Sequence, residues 1–180
     1  MREVTRILPP YSLESFKNLH AGEHVLLCGH VLVMRDQAQK KLFDMKEKGE
    51  NLPIDLSNTV VFYAGPAKPI PTMPAGAIGP TTSKRMDKYL EFLYLQGVLA
   101  TIGKGDRSEY VKELNKRYRR VYFVTPSGVA ALLASRVVKS DILAFEELGP
   151  EAIRLIEVRD LPLFVWIDAS GQVFRNAVNR

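Results

Sequence analysis

The chain has 180 residues, of which 46% are hydrophobic and 25% charged, a composition that excludes disordered, collagen-like and coiled-coil classes and predicts one globular domain over residues 1–180. Its only cysteine, Cys28, cannot form an internal disulfide bond, and one thiol cannot hold zinc or an iron–sulfur cluster. The net charge of +5 favours anionic partners in general, from nucleic acid to small carboxylates.

The N-terminal residues lack the layout of a signal peptide, and no apolar run approaches the roughly 18 residues of a membrane span. We therefore expect a soluble, cytoplasmic protein with no membrane partner.

The first half of the chain alternates between helix and strand patterns. It predicts a short helix capped by Ser12, a strand over 23–34 bent or split at Gly29, a helix over 35–48 and a buried strand over 58–64. Residues 65–80 contain five prolines, which cannot continue a helix or a central strand, so this segment is predicted to be an ordered loop.

The second half continues the alternation. Thr82 is predicted to cap a helix with the apolar face Met86, Tyr89, Leu90, Leu93 and Leu95. Further elements are a strand over 98–102, a basic helix over 109–120, a strand over 121–124, a buried helix over 128–138, and strands over 155–158 and 163–167 before a hairpin turn at Ser170-Gly171. The alternation predicts an α/β fold with a largely parallel sheet and a second, antiparallel layer.

A first candidate site lies at the start of the third predicted helix. The turn Gly79-Pro80 delivers Thr81 and Thr82 to a helix start, where free backbone N–H groups can hold an anion. Arg85, one turn further, would lie on the same side and clamp a carboxylate. The alternative is a well-capped helix with a surface arginine.

Two further candidates follow strands. Lys104, between two glycines at a strand end, is placed to bind a carboxylate, with an ordinary turn lysine as the alternative; its spacing does not match a phosphate-binding loop. Arg35 and Asp36 stand where a strand passes into a helix, so the arginine can reach a cleft, or the pair can simply cap the helix.

Two other patterns are weaker. His20, His24 and His30 are the candidate metal ligands, but His24 and His30 have no acidic or thiol partner at ligand spacing, which favours structural or surface roles over a metal site. The run Lys116–Arg120 surrounds a tyrosine with cations, but it is more typical of the solvated C-terminal end of a helix than of a nucleic-acid-binding surface.

Taken together, these motifs resemble the β-subunit, or carboxy-terminal domain, of the class I iron–sulfur fumarate hydratases and the related L-tartrate dehydratases. The matching words are Leu52-Pro53-Ile54-Asp55-Leu56, Tyr63-Ala64-Gly65-Pro66, Gly79-Pro80-Thr81-Thr82, Arg85-Met86-Asp87, Ile102-Gly103-Lys104-Gly105, the stretch from Ala144 to Ile153, and Ile167-Asp168-Ala169-Ser170-Gly171.

The resemblance implies a three-layer swivelling β/β/α domain with a parallel central sheet and a second antiparallel sheet. It also implies the reversible hydration of fumarate to malate at a 4Fe-4S cluster that three cysteines of a separate α-subunit hold. Such a partner would explain why this chain has only one cysteine, Cys28, although the enzyme uses a cluster. The implied substrate is a small dicarboxylate.

Carried over by motif, the resemblance assigns substrate binding to Arg35, Arg85 and Lys104 and the role of catalytic hydroxyl to Thr81. Fixed cations suit a dicarboxylate because they stabilise the charge that builds up when a proton beside a carboxylate is removed. Two departures from the family pattern concern the diacid: Gln39 lies in the segment that usually carries histidine, and Lys84 replaces the usual glycine.

Two classes of function follow. The main hypothesis is the β-subunit of a two-chain fumarate hydratase, with L-tartrate dehydratase as the alternative diacid. The second class is a non-catalytic module in which the basic helix contacts nucleic acid or another protein.

Overall fold

A computed structural model describes residues 4–66, 74, 76, 78–126 and 130–174 of the chain. The strands are β1 (Thr5–Ile7), β2 (His24–Val33), β3 (Val60–Phe62), β4 (Ala64–Pro66), β5 (Ile78–Pro80), β6 (Ala100–Gly103), β7 (Val121–Val124), β8 (Val137–Ala144) and β9 (Ile153–Ile167). The α-helices are α1 (Asp36–Glu47), α2 (Asp87–Leu95), α3 (Glu109–Tyr118) and α4 (Ala130–Ser135), and short 3-10 helices cover Leu13–Ser15, Ser83–Met86 and Glu146–Glu151.

The main sheet is mixed and rich in parallel pairs. Strands β1, β2, β3, β6 and β7 run parallel to their neighbours, in that order across the sheet. Strand β9 runs antiparallel to β7, β8 and β2. Because β9 joins β7 back to β2, the pairings β2–β3–β6–β7–β9–β2 form a closed ring.

The ring explains why β3 and β6 are buried on both faces. Along a strand, successive side chains point to opposite sides, and a sheet that is covered on both sides buries them all. Val60, Val61 and Phe62 of β3 are accordingly all buried. Val60 and Phe62 belong to the core inside the ring, together with residues of β2, β6, β7 and β9. Val61 belongs to a second core outside it.

Helices α1, α2 and α3 supply the second core. Leu42, Leu90 and Leu114 are fully buried against the outer face of the sheet. Helix α1 confirms the predicted helix over 35–48, and α3 confirms the basic amphipathic helix, which ends at Arg119 in the left-handed conformation. The predicted face of α2 is correct except for Leu95, whose exposure of 65% places it on the solvent side.

The C-terminal third differs most from the sequence-based predictions. The apolar stretch predicted as a helix over 128–138 forms only the short α4 before Val137 enters β8, a strand that was not predicted; residues 128 and 129 lie outside the described part of the chain. The two predicted strands over 155–158 and 163–167 are one strand, β9, of 15 residues, with Asp160 in the left-handed region inside it. Pairing with β2 and β8 along its length holds this strand together.

A small antiparallel sheet stands apart from the ring. Strand β4, directly after β3, pairs with β5 at the end of the proline-rich segment. Most of that predicted loop, residues 67–73, 75 and 77, lies outside the described residues. The α/β class with a parallel-rich central sheet and a second antiparallel sheet is thus confirmed.

Candidate functional site

The residues that the sequence singled out lie together at one edge of the sheet. Arg35 follows β2, Lys104 follows β6, and Thr81 is held at the end of β3 because its backbone N–H donates to the Tyr63 carbonyl at 2.8 Å. Since these strands are parallel, their carboxyl ends meet at the same edge. The carboxyl ends of parallel strands are where α/β proteins commonly bind ligands, in closed barrels as well as in open sheets.

Thr81 and Arg85 are in direct contact. Arg85 Nη2 donates to Thr81 Oγ1 at 3.0 Å, and the same nitrogen lies 3.7 Å from Asp36 Oδ1. The Arg85 side chain is half exposed, so its remaining donors are open to a ligand. A guanidinium that donates to a hydroxyl oxygen favours negative charge on that oxygen.

Arg35 lies between a glycine and a carboxylate. Its Nη2 is 3.5 Å from Glu151 Oε1, and a Cβ placed on Gly65 would lie only 3.0 Å from its Nη1. Asp36, the next residue, faces Arg85 across the gap between α1 and the 3-10 helix Ser83–Met86. Arg85 thus contacts both Thr81 and Asp36, and Arg35 is linked to them through its chain neighbour Asp36.

Ser83 connects this group to Lys104. The Lys104 backbone N–H donates to Ser83 Oγ at 3.0 Å, and Ser83 N–H donates back to the Lys104 carbonyl at 3.1 Å. Ser83 is fully buried. A Cβ on Gly103 would lie 1.8 Å from Ser83 Oγ, so only glycine permits this approach. The exposed side chain of Lys104 thus leaves the same edge as Thr81 and Arg85.

The prediction that the Thr82 side chain caps a helix is wrong. Thr82 does occupy the position before the 3-10 helix, but its side chain makes no capping hydrogen bond and is exposed. Its backbone instead pairs with Lys104 as an isolated parallel bridge. The segment is fixed by Ser83, which sequence reasoning did not single out.

A buried arginine lies beneath the site and was also missed. Arg107 Nε donates to Asp87 Oδ1 at 2.5 Å, and the guanidinium carbon lies 4.7 Å from the Tyr122 ring centre and 5.3 Å from that of Tyr63. Within the described part of the chain, its Nη1 and Nη2 have no hydrogen-bond partner. Burial opposes the charge, yet the Asp87 carboxylate and its hydrogen bond favour it, and the pKa of Arg107 lies above its ordinary value.

The tyrosines of this cluster remain neutral hydroxyls. Burial raises the pKa of Tyr122 to about 12, and burial also raises the pKa of Tyr63 although Arg107 opposes the shift. The Tyr122 hydroxyl lies 3.1 Å from Ser83 Oγ and 2.9 Å from the Gly105 carbonyl oxygen. The neutral Tyr122 hydroxyl can therefore donate a hydrogen bond to Ser83 Oγ or to the Gly105 carbonyl and stabilise the segment that carries Lys104.

Gln39 and Lys84, which depart from the family pattern, differ in burial. Gln39, in α1 behind Asp36, is fully buried, and both polar atoms of its amide lack a partner among the described residues. Lys84 is exposed and adds a positive charge beside Thr82.

No metal-binding set is found in the described residues. These contain no group of three or more His, Cys, Asp or Glu side chains arranged to hold a metal ion. Cys28, the sole cysteine, is half-buried with Sγ 3.4 Å from Asp160 Oδ1. One thiol beside a carboxylate does not fit a cluster that needs several thiolates. Across residues 4–66, 78–126 and 130–174, no helix combines the length and apolar character needed to cross a bilayer.

The basic run at the end of α3 is used within the fold. Arg120 donates from Nε to the Val98 carbonyl at 2.8 Å, and Arg117 Nη1 lies 3.1 Å from Glu91 Oε1. The Tyr118 hydroxyl donates to the same carboxylate at 2.9 Å. The contacts of Arg117 and Tyr118 with Glu91 join α3 to α2. Because Arg117 and Arg120 bind groups within the fold, the evidence for a nucleic-acid-binding surface on α3 is weaker.

The fold and the site together define an α/β protein with arginine and lysine side chains and a threonine hydroxyl at the carboxyl edge of a parallel-rich sheet. The family model described as the fumarase C-terminus matches residues 3–178. The chain belongs to this family.

Relatives fall into two groups of different length. The chain is 40% identical over 152 residues to fumarate hydratase 2 of Leishmania major, covering 83% of this chain and 27% of that protein. It is 38% identical to the anaerobic class I fumarate hydratase of Escherichia coli (strain K12), covering all of this chain and 32% of that protein. The L(+)-tartrate dehydratase subunit beta of the same organism is 30% identical, with 90% of this chain and 82% of that subunit covered. The chain thus spans about a third or less of these fumarate hydratases but most of the tartrate dehydratase subunit.

Proposed function

We propose that this chain is the β-subunit of a two-chain iron–sulfur hydro-lyase that reversibly hydrates fumarate to L-malate. The observation that carries the proposal is the direct contact of Arg85 Nη2 with Thr81 Oγ1 at the edge that Arg35 and Lys104 also occupy. Three cations at one edge suit a substrate with two carboxylates. The resemblance to a domain of the swivelling β/β/α kind belongs to the same proposal.

In the proposed dehydration direction, the Thr81 oxygen takes the proton from the carbon next to a substrate carboxylate while the Thr81 hydroxyl proton passes to a carboxylate of the α-subunit; hydration runs the same relay in reverse. Removing that proton moves negative charge onto the carboxylate, and fixed guanidinium or ammonium groups stabilise this charge without reorganising solvent. Arg85 serves both the carboxylate and the Thr81 oxygen, because only one of its nitrogens is used by Thr81. Arg35 and Lys104 orient the rest of the diacid.

The chain does not hold the 4Fe-4S cluster that the family resemblance implies, because its one cysteine does not provide the ligands. We propose that an α-subunit carries the cluster and completes the site at the departing hydroxyl. The match to a tartrate dehydratase subunit over most of its length supports a separate partner chain.

Anaerobic reconstitution tests the proposal. The chain alone should show no turnover, and adding the α-subunit should produce malate from fumarate. Hydratase activity from the purified chain by itself would contradict a two-chain enzyme.

The alternative diacid is L-tartrate, favoured by the beta subunit match. Comparing kcat/KM for L-malate and L-tartrate in the reconstituted complex distinguishes the two. A preference for tartrate of tenfold or more would assign the tartrate dehydratase reaction instead.

A further inference from the structure

The segment Glu146–Glu151 contacts α1, the helix that begins directly after Arg35. Lys41 on α1 forms an ion pair with Glu147 and lies 4.4 Å from the ring centre of Phe145. At the end of the segment, Glu151 reaches the first turn of α1, where its Oε2 accepts the Gln37 backbone N–H at 3.1 Å. The segment is therefore attached to α1 at two points.

Glu151 uses its other oxygen on Arg35. Its Oε1 lies 3.5 Å from Arg35 Nη2, and the two side chains are only 14% and 29% exposed. Arg35 Nε is buried and has no partner among the described residues. On the opposite side the guanidinium rests on Gly65, where any Cβ would come within 3.0 Å of Nη1 and 3.2 Å of Cδ.

We propose that Glu151 is a positioning residue for Arg35: it holds the guanidinium against Gly65 in the orientation that meets the substrate. One carboxylate thus fixes both the start of α1 and the side chain that leaves it. The inference rests on the proposed function, since it assigns a role in binding the diacid to a residue that does not touch it.

Substitution of Glu151 has two effects of opposite sign on the affinity for an anionic substrate. Removing the negative charge beside Arg35 would by itself strengthen attraction for an anion. Losing the support would leave a long, flexible side chain to be ordered at each binding event, which weakens binding. A positioning role and a mere neighbouring charge therefore predict changes of KM in opposite directions.

The variants are Glu151→Gln, which removes the charge but keeps the reach, and Glu151→Asp, which keeps the charge but shortens the reach. In the reconstituted two-chain enzyme, both should raise KM for malate about threefold to tenfold and change kcat by less than KM. The matched control is Glu147→Gln on the same segment, which should change neither constant by more than twofold. A lower KM in Glu151→Gln with a normal Glu151→Asp would overturn the inference.

A second measurement does not depend on activity. Because Arg35 Nε is buried, its N–H should give a sharp signal in an NMR spectrum of the isolated chain, assigned by its loss in Arg35→Lys. The signal should shift or broaden in Glu151→Gln and stay unchanged in Glu147→Gln.

The two measurements separate the proposals. An unchanged Arg35 signal in Glu151→Gln overturns the positioning role whatever the activity. A changed signal in the isolated Glu151→Gln chain, together with a reconstituted wild-type complex that turns over neither malate nor tartrate, supports the positioning of Arg35 and contradicts the proposed function. Gly65→Ala, which presses on the guanidinium from the other side, should also move the signal.

Discussion

Arg107 and Asp87 form an ion pair beneath the site, with Nε and Oδ1 2.5 Å apart and side-chain exposures of 0% and 10%. The second oxygen of Asp87 accepts the Ser108 backbone N–H at 2.8 Å. Asp87 is the first residue of α2, which follows the segment carrying Arg85, and Ser108 directly precedes α3. One buried pair therefore joins the starts of two helices under the site.

Breaking this pair should be costly. Arg107→Met leaves Asp87 buried without its partner, and we expect a loss of about 3–5 kcal/mol in the free energy of unfolding. The double variant Arg107→Met/Asp87→Asn should recover part of that loss, because no buried charge remains and the amide oxygen can still accept from Ser108. Urea unfolding of the chain measures both. A loss below about 1 kcal/mol in the single variant would mean that the pair is not desolvated as described.

The contact of Arg85 with Thr81 predicts different kinetic effects for two substitutions. Thr81→Val preserves shape but removes the hydroxyl, so kcat should fall by at least 100-fold while KM changes little, within the usual range for losing a proton-transfer group. Arg85→Lys keeps the charge but loses the planar donor pair, so kcat/KM should fall by at least tenfold.

The reconstituted complex is the system for this comparison. The exposed neighbour Thr82 provides the control, since Thr82→Val should leave both constants close to wild type. Near-normal turnover in both Thr81→Val and Arg85→Lys would remove these residues from the proposed active site.

Ser83 and Thr82 make a matched pair for stability. Ser83→Ala leaves the part-buried Lys104 N–H without its acceptor and should cost about 1–3 kcal/mol. Thr82→Val, at an exposed side chain without a capping hydrogen bond, should stay within about 0.5 kcal/mol of wild type. Chemical unfolding of the isolated chain tests the difference. A larger loss of stability in Thr82→Val than in Ser83→Ala would show that the Thr82 side chain caps the helix after all.

Asp168 predicts a pH dependence of stability. Burial alone would raise its pKa, but hydrogen bonds from the Ser170 hydroxyl and from the backbone N–H groups of Ala21, Ser170 and Gln172 outweigh burial and lower it. A carboxyl group whose pKa is lower in the folded state adds stability that is complete above about pH 4, its unfolded value, and is lost as pH falls through the folded pKa.

The variant Asp168→Asn isolates that contribution. At pH 7 it should be less stable than wild type by about 1–2 kcal/mol, because the carboxylate accepts several hydrogen bonds. The difference should shrink as the pH falls below about 4, when the wild-type carboxyl takes up its proton. Thermal unfolding between pH 2.5 and 7 measures it. A difference that is constant across this range would show that the charge of Asp168 contributes nothing.

Local patterns were sufficient for much of the fold and part of the site. Helix α1 and the strands β2 and β7 follow from periodicity, which acts over a few residues. Arg85 and Thr81 are four residues apart, so one turn of chain brings them together, and their contact could be predicted from the sequence.

What only the tertiary structure decided involves residues distant in sequence. The strand β8 exists because β9 pairs with it, and its sequence has no clear alternation. The burial of Arg107 cannot be inferred from residue type, because arginine is usually exposed. It is buried here because it forms an ion pair with Asp87. Glu151 meets Gln37 across 114 residues of chain. Local preference therefore determined most of the helices and strands and the proposed binding residues, whereas the packing of distant segments determined which side chains contact those residues.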